Sequence, residues 1–176
     1  MQEGDRVISR TVARSDQGPR CRPRPVIFLL FLAFLIVAAD QLVKFVMLKV
    51  LVYGSPVVII KEFFSLTLVF NTGAAFGILR GWRSLFIFLP ILTVVLIIIL
   101  FFKSRNKKKL VVPLALILGG TIGNFVDRIR YGCVVDFLDL YFQKWHWPAF
   151  NIADICICFG VLLFLVRLLR GKEPVW

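Results

Sequence analysis

The sequence is poor in the residue types that carry most metal and nucleophile chemistry. It holds one histidine, His146, four cysteines, and ten acidic residues against 22 basic ones. A lone histidine makes no His-rich metal site. Cys156 and Cys158 stand two apart and Cys21 and Cys133 lie far from them, which matches no zinc spacing. The close pair reads as small packing residues of an apolar helix. Cys21 follows no apolar run, so it does not read as a cleaved and lipidated N-terminus. No Ser–His or Cys–His constellation stands out, and there is no internal repeat of the kind transporters carry. The net charge of +12 suggests nucleic acid at first sight. The basic residues flank apolar runs instead of lining a surface, which favours membrane orientation and no nucleic acid partner.

The excess is apolar. Hydrophobic residues make up 59% of the chain, 18 of them Phe, where soluble domains hold roughly 45–50%. They come in long runs, so the expected class is an all-α polytopic membrane protein of one domain. Four transmembrane helices are expected at about 26–48, 84–102, 110–126 and 151–169. Residues 1–25, with six Arg and three prolines after Gly18, read as a disordered basic cytoplasmic extension. The apolar run that follows is too long for a signal peptide and lacks a clear cleavage site. Residues 26–170 form the membrane domain and 171–176 a cytoplasmic tail.

Between the first two helices, Val57–Ile60 and Phe64–Phe70 are β-branched and aromatic, the second with alternation, and predict short strands. An open strand edge cannot face hydrocarbon, so this piece lies at the surface or under the helices. Asn71 to Gly77 is a turn of small residues. Residues 127–149 are expected outside the membrane, with Trp145, His146 and Trp147 as interfacial anchors. Asn151 is a candidate N-cap for the last helix.

Fourteen of the Lys and Arg residues lie in the N-terminal extension, in 103–109 and from Arg167 onward. The positive-inside rule then puts both termini in the cytoplasm. On that topology Asp40, Asn71, Asn124, Asp127, Asp136 and Asp154 all fall on the outer side, although they come from five segments. The plain alternative is that polar residues gather at helix ends. It leaves unexplained why the cytoplasmic ends carry Lys and Arg but no acids or Asn inside the helices. A charge in a membrane helix costs roughly 2.5–3.5 kcal/mol unless paired or wetted. Asp40 and Lys44, four apart, face the same way and are read either as a structural ion pair or as part of a site.

Two close carboxylates cannot both ionise easily, so such a pair shares a proton near neutrality. The ionised member can act as general base on water while the other polarises a carbonyl. Spacing alone leaves Asp127, Asp136, Asp139 and Asp154 as candidates. Asp127 is also readable as an ion pair with Arg128, and Asp139 as a solvated loop residue. Proton or ion transport by the same carboxylates is a comparable reading, and a non-catalytic scaffold is a third.

From about Val26 to Leu169 the chain resembles the bacterial lipoprotein signal peptidase family, or signal peptidase II. The resemblance rests on five motifs in order. These are Asp40-Gln41 with Lys44; Asn71-Thr72-Gly73-Ala74-Ala75-Phe76-Gly77; Gly119-Gly120 with Gly123-Asn124 and Asp127-Arg128; Val134-Val135-Asp136-Phe137; and Phe150-Asn151 with Ala153-Asp154. It implies an aspartic endopeptidase that needs no cofactor or metal and removes the signal peptide of diacylglyceryl-modified prolipoproteins, just before the lipidated cysteine. By resemblance Asp136 and Asp154 are the catalytic pair, and the outer strands form a small β-cradle with a short helical or loop segment on the outer side. Asp40, Lys44, Asn71, Gly73, Asn124, Asp127, Arg128, Asn151 and Ala153 are supporting or substrate-binding positions, with Asn71 and Arg128 on the substrate backbone. The implied setting is the bacterial inner membrane, as a monomer among membrane lipids, with the site toward the outer face. The sequence departs from the pattern at Ile155, at Cys133 and in the length of its basic extension.

Overall fold

The computed structural model describes residues 25–73, 83–103 and 107–170. The N-terminal extension, the C-terminal tail, most of the turn after Gly73 and part of the basic hairpin lie outside the described residues. Among the described residues there are four helices: α1 (Pro25–Val50), α2 (Arg83–Lys103), α3 (Lys107–Tyr131) and α4 (Ile152–Arg170). α1 opens on Pro25, whose fixed φ suits the first helical position, and the 26-residue helix holds no other Pro and no Gly. Spanning the ~30 Å hydrocarbon core takes about 20 helical residues. By length and composition α1, α3 and α4 meet that need, whereas the apolar stretch of α2 at Phe88–Lys103 is shorter.

α3 is the central helix, packed on α1, α2 and α4. Leu114, Ala115 and Leu118 of α3 meet Leu29 and Ala33 of α1 and Ile97 and Phe101 of α2 in the main core. Large side chains such as Phe28, Phe31, Phe34 and Phe45 stay exposed on α1. An apolar face of that extent is stable in lipid and would drive association in water.

The helices approach closely at the glycines of α3. A Cβ on Gly120 would strike the backbone carbonyl of Ala153, and one on Gly123 would lie 2.6 Å from Asp40 Oδ2. Asp40 is held in place by its own partners and cannot swing aside. Gly123→Ala is therefore expected to lower stability by about 1–3 kcal/mol and to impair whatever depends on Asp40. Thermal unfolding in detergent measures the first effect.

α3 runs to Tyr131, beyond the expected end at 126, so Asp127 and Arg128 are helical and not the start of a loop. The helix can continue because partners on α1 satisfy Asp127 without water. It stops at Gly132, whose φ of 74° and N–H bond to the Arg128 carbonyl (3.1 Å) make a left-handed cap.

The two expected strands form, as β1 (Val57–Ile60) and β2 (Phe64–Asn71). The segment after α3, expected as an aromatic-rich interfacial stretch, is a hairpin of β3 (Val134–Phe142) and β4 (Trp145–His146). The sheet is antiparallel in the order β1-β2-β3-β4. β3 therefore pairs with β2, far off in sequence, with Val69 opposite Asp136, Asn71 opposite Val134 and Ser65 opposite Asp139. One face of β3 sends Val135 and Phe137 into a second core with Leu51 and Leu68, packed on the end of α1. The sheet thus sits where α1 and α3 end and α4 begins. The long apolar runs led to an all-α expectation. The chain is mostly helical with this small sheet.

Candidate active site

The geometry starts from strand pairing. The Phe150 N–H and carbonyl exchange bonds with Leu138 at 3.0 and 2.9 Å. That contact sets Asn151 beside Asp136 just as the chain turns into α4. Asn151 then caps the helix. Its Oδ1 accepts from the Asp154 N–H (3.0 Å) and its own N–H donates to Asp154 Oδ2 (3.2 Å). This reciprocal box satisfies two donors that the helix start would leave bare. The spare amide of Asn151 donates to Asp136 Oδ1 at 2.7 Å. One buried Asn therefore touches both carboxylates.

The remaining oxygens are also held. Asn71 Nδ2, two residues along β2 from the position facing Asp136, donates to Asp136 Oδ2 at 3.0 Å. Asn124 Nδ2 on α3 donates to Asp154 Oδ1 at 2.7 Å. Asp136 is 1% exposed. Its carboxyl is pushed up to about 7, by burial first and by the Asp154 charge second, against the amide bonds and the Lys44 charge. The two carboxylates are thus near enough to couple electrostatically.

Behind them lies a buried ionic network. Lys44 Nζ bonds Asp40 Oδ2 (2.9 Å), Asp127 Oδ2 (2.7 Å) and Asn124 Oδ1 (3.0 Å). Asp40 and Lys44 do form the ion pair that their spacing allowed, but Asp127 shares it. In front of the carboxylates opens a cavity of about 1010 Å³. Asn71, Asn124, Arg128, Asp136 and Asp154 give its polar end, and Leu89, Phe159 and Leu162 are among its apolar walls. Arg128 also donates to the Asn124 carbonyl at 3.3 Å and feels the charges of Asp154, Asp136 and Asp127.

All eleven residues singled out from the sequence converge here. Gly73 is buried at the cavity wall and donates its N–H to Asn71 Oδ1 (3.0 Å), fixing that side chain in a local turn. Ala153 contributes its N–H, to Asp40 Oδ1 at 3.0 Å. Asp139 lies elsewhere. It is a buried strand residue, not a solvated loop residue, because Ser65 Oγ (3.0 Å) and His146 Nδ1 (3.0 Å) satisfy it. His146 stacks on Tyr141 and takes no part in the pair.

Two contributors had no role in the sequence reading: Gln41, quoted there only as part of the Asp40-Gln41 motif, and Thr121. Gln41 donates to Asp127 Oδ1 at 2.8 Å and to the Gly123 carbonyl at 3.2 Å. An amide in an apolar helix needs such partners, and that was the available signal. Thr121 is buried against the cavity. Its spacing of three before Asn124 puts both on one face of α3.

The arrangement has known counterparts. The family model for signal peptidase (SPase) II matches residues 32–170. A lipoprotein signal peptidase of Janthinobacterium sp. (strain Marseille) is 45% identical over 143 residues, covering 79% of this chain and 86% of that protein. One from Syntrophus aciditrophicus (strain SB) is 43% identical, covering 85% and 97%. A bacterial membrane enzyme solved by the in meso method at 2.3 Å superposes with a TM-score of 0.72 at 30% identity, over 84% of this chain and 94% of the other. The match takes in every residue of the carboxylate site and its buried ionic support, and on these grounds the chain belongs to the signal peptidase II family.

Proposed function

We propose that this protein is an intramembrane aspartic endopeptidase that removes the signal peptide from diacylglyceryl-modified prolipoproteins, cutting just before the lipidated cysteine. One observation carries the reading: Asp136 and Asp154 stand together, each oxygen held by an amide, at the polar end of an otherwise apolar cavity. The name shared by the relatives supports the substrate class.

The ionised member of the pair takes a proton from water as the water oxygen attacks the scissile carbonyl. The protonated member hydrogen-bonds the carbonyl oxygen as it gains negative charge. Collapse of the tetrahedral intermediate breaks the C–N bond and passes a proton to the leaving cysteine nitrogen. The products are a signal peptide carboxylate and a free N-terminal amine. These proton transfers use the chain's own side chains. Asn71 and Arg128 face the cavity, where they would hold the substrate backbone. An acyl anchor contributes ~0.8 kcal/mol per buried CH₂, so the apolar walls favour the lipidated precursor.

The reading includes α2 as a fourth membrane span within a 26–170 peptidase domain. It places residues 1–25 and 171–176 in the cytoplasm, and the site toward the outer face of the bacterial inner membrane. The distribution of Lys and Arg supports this orientation. The enzyme acts as a monomer among membrane lipids.

Purified protein in detergent or lipid should cleave a diacylglyceryl-modified precursor and leave the unmodified one largely intact. Equal rates on both would remove lipid recognition. No cleavage of a precursor that a known family member cuts would remove the peptidase reading.

A further inference from the structure

A single buried ammonium stands behind both members of the pair. Lys44 has three N–H donors and all are used, on Asp40, Asp127 and Asn124. The Lys44, Asp40 and Asp127 side chains are 3%, 0% and 1% exposed. Asp40 Oδ1 accepts the backbone N–H of Ala153 at 3.0 Å. Asp127 Oδ2 accepts the backbone N–H of Val135 at 3.2 Å. Ala153 immediately precedes Asp154, and Val135 immediately precedes Asp136. The third partner, Asn124, holds the Asp154 carboxylate itself.

Resting on the proposed role of the pair, we infer that Lys44 is a positioning residue that sets the separation of Asp136 and Asp154. It does so through two carboxylates, each anchoring the main chain one residue upstream of a catalytic Asp. The physical requirement is plain. β3 and α4 are separated in the chain by β4, and α1 supplies a common reference for both. Without a cation between them, Asp40 and Asp127 repel each other and their grips on Ala153 and Val135 separate. A compact ammonium can aim three bonds at three converging acceptors, whereas a planar guanidinium presents a rigid fork. Charge alone is therefore not enough, and arginine should be a poor substitute.

The test compares Lys44→Arg and Lys44→Met with the full-length wild type in detergent. Turnover is followed on a diacylglyceryl-modified precursor, and amide hydrogen exchange at Val135 and Ala153 is followed in parallel. In Lys44→Arg, kcat should fall on the order of 10²-fold, as expected for a displacement near 1 Å, with KM within about threefold. Exchange protection at Val135 and Ala153 should fall together, and more strongly in Lys44→Met. If kcat is unchanged in Lys44→Arg, or the loss merely tracks the fraction of folded protein, Lys44 is only a structural neutraliser. Loss of protection at one amide without the other also overturns the inference. The exchange readout needs no cleavage. A wild type that does not cleave would sink the peptidase reading, while the coupled amides would still decide the role of Lys44.

Discussion

Asp136→Asn should yield a folded protein that cleaves roughly 10³–10⁴-fold more slowly, and Asp154→Asn the same. An amide has the shape of a carboxylate but can neither accept a proton from water nor hold the shared one. The hydrogen bonds sharpen the expectation. Asp136 accepts from Asn151 on one oxygen and from Asn71 on the other. Asp154 accepts from Asn124 and from the Asn151 N–H. Each oxygen of both groups accepts from an N–H donor, so an introduced NH₂ faces another donor and one bond is lost, at about 1–3 kcal/mol. Relief from burying a charge offsets part of that loss, so folding survives. Single-turnover cleavage beside thermal unfolding separates the two effects. Residual activity within tenfold of wild type in either variant would take that residue out of the chemistry.

The second large effect is on pH. Burial, reinforced by the neighbouring Asp154 charge, lifts the Asp136 carboxyl to about 7. Below that pH the pair retains its proton, and above it the proton leaves. kcat/KM should therefore fall about tenfold per unit once pH rises past roughly 7. The same shift has a stability consequence with a definite sign. Between pH 3.8, the ordinary value, and about 7, the folded protein keeps a proton that the unfolded chain has released. Stability then drops as pH climbs through this window and levels off above it. The loss is on the order of a few kcal/mol at one unit per 1.36 kcal/mol. Asp136→Asn abolishes this contribution. The difference in unfolding temperature between variant and wild type should grow in the variant's favour from pH 4 to pH 7. A flat difference would show that Asp136 carries no raised proton affinity.

The family and the helices were legible in the sequence because each depends on local pattern. Apolar runs of membrane-spanning length marked α1, α3 and α4, and alternation of β-branched and aromatic residues marked β1 and β2. Motif order pointed to the family. Polar residues in apolar surroundings marked the site, since burial of Asp40, Asn124 or Asp127 is tolerable only with partners.

What tertiary structure alone decided depends on distant partners. β3 is a strand because β2 offers an edge some 65 residues away, and the segment's own aromatic residues read equally well as an interfacial loop. Asp127 stays inside α3 because Lys44 and Gln41 on α1 take up its charge, a contact no window along the chain contains. Asp139 and Asp136 sit three apart on the same strand. Pairing sends one to Ser65 and His146 and the other to Asn71 and Asn151, and this separates the isolated acid from the coupled pair. The sequence by itself supplied the residues and the membrane-spanning helices. The close glycine packing of α3 and the β2–β3 register decided which of them meet, because hydrogen bonds of about 3 Å are set by the relative placement of whole elements and not by neighbours in the chain.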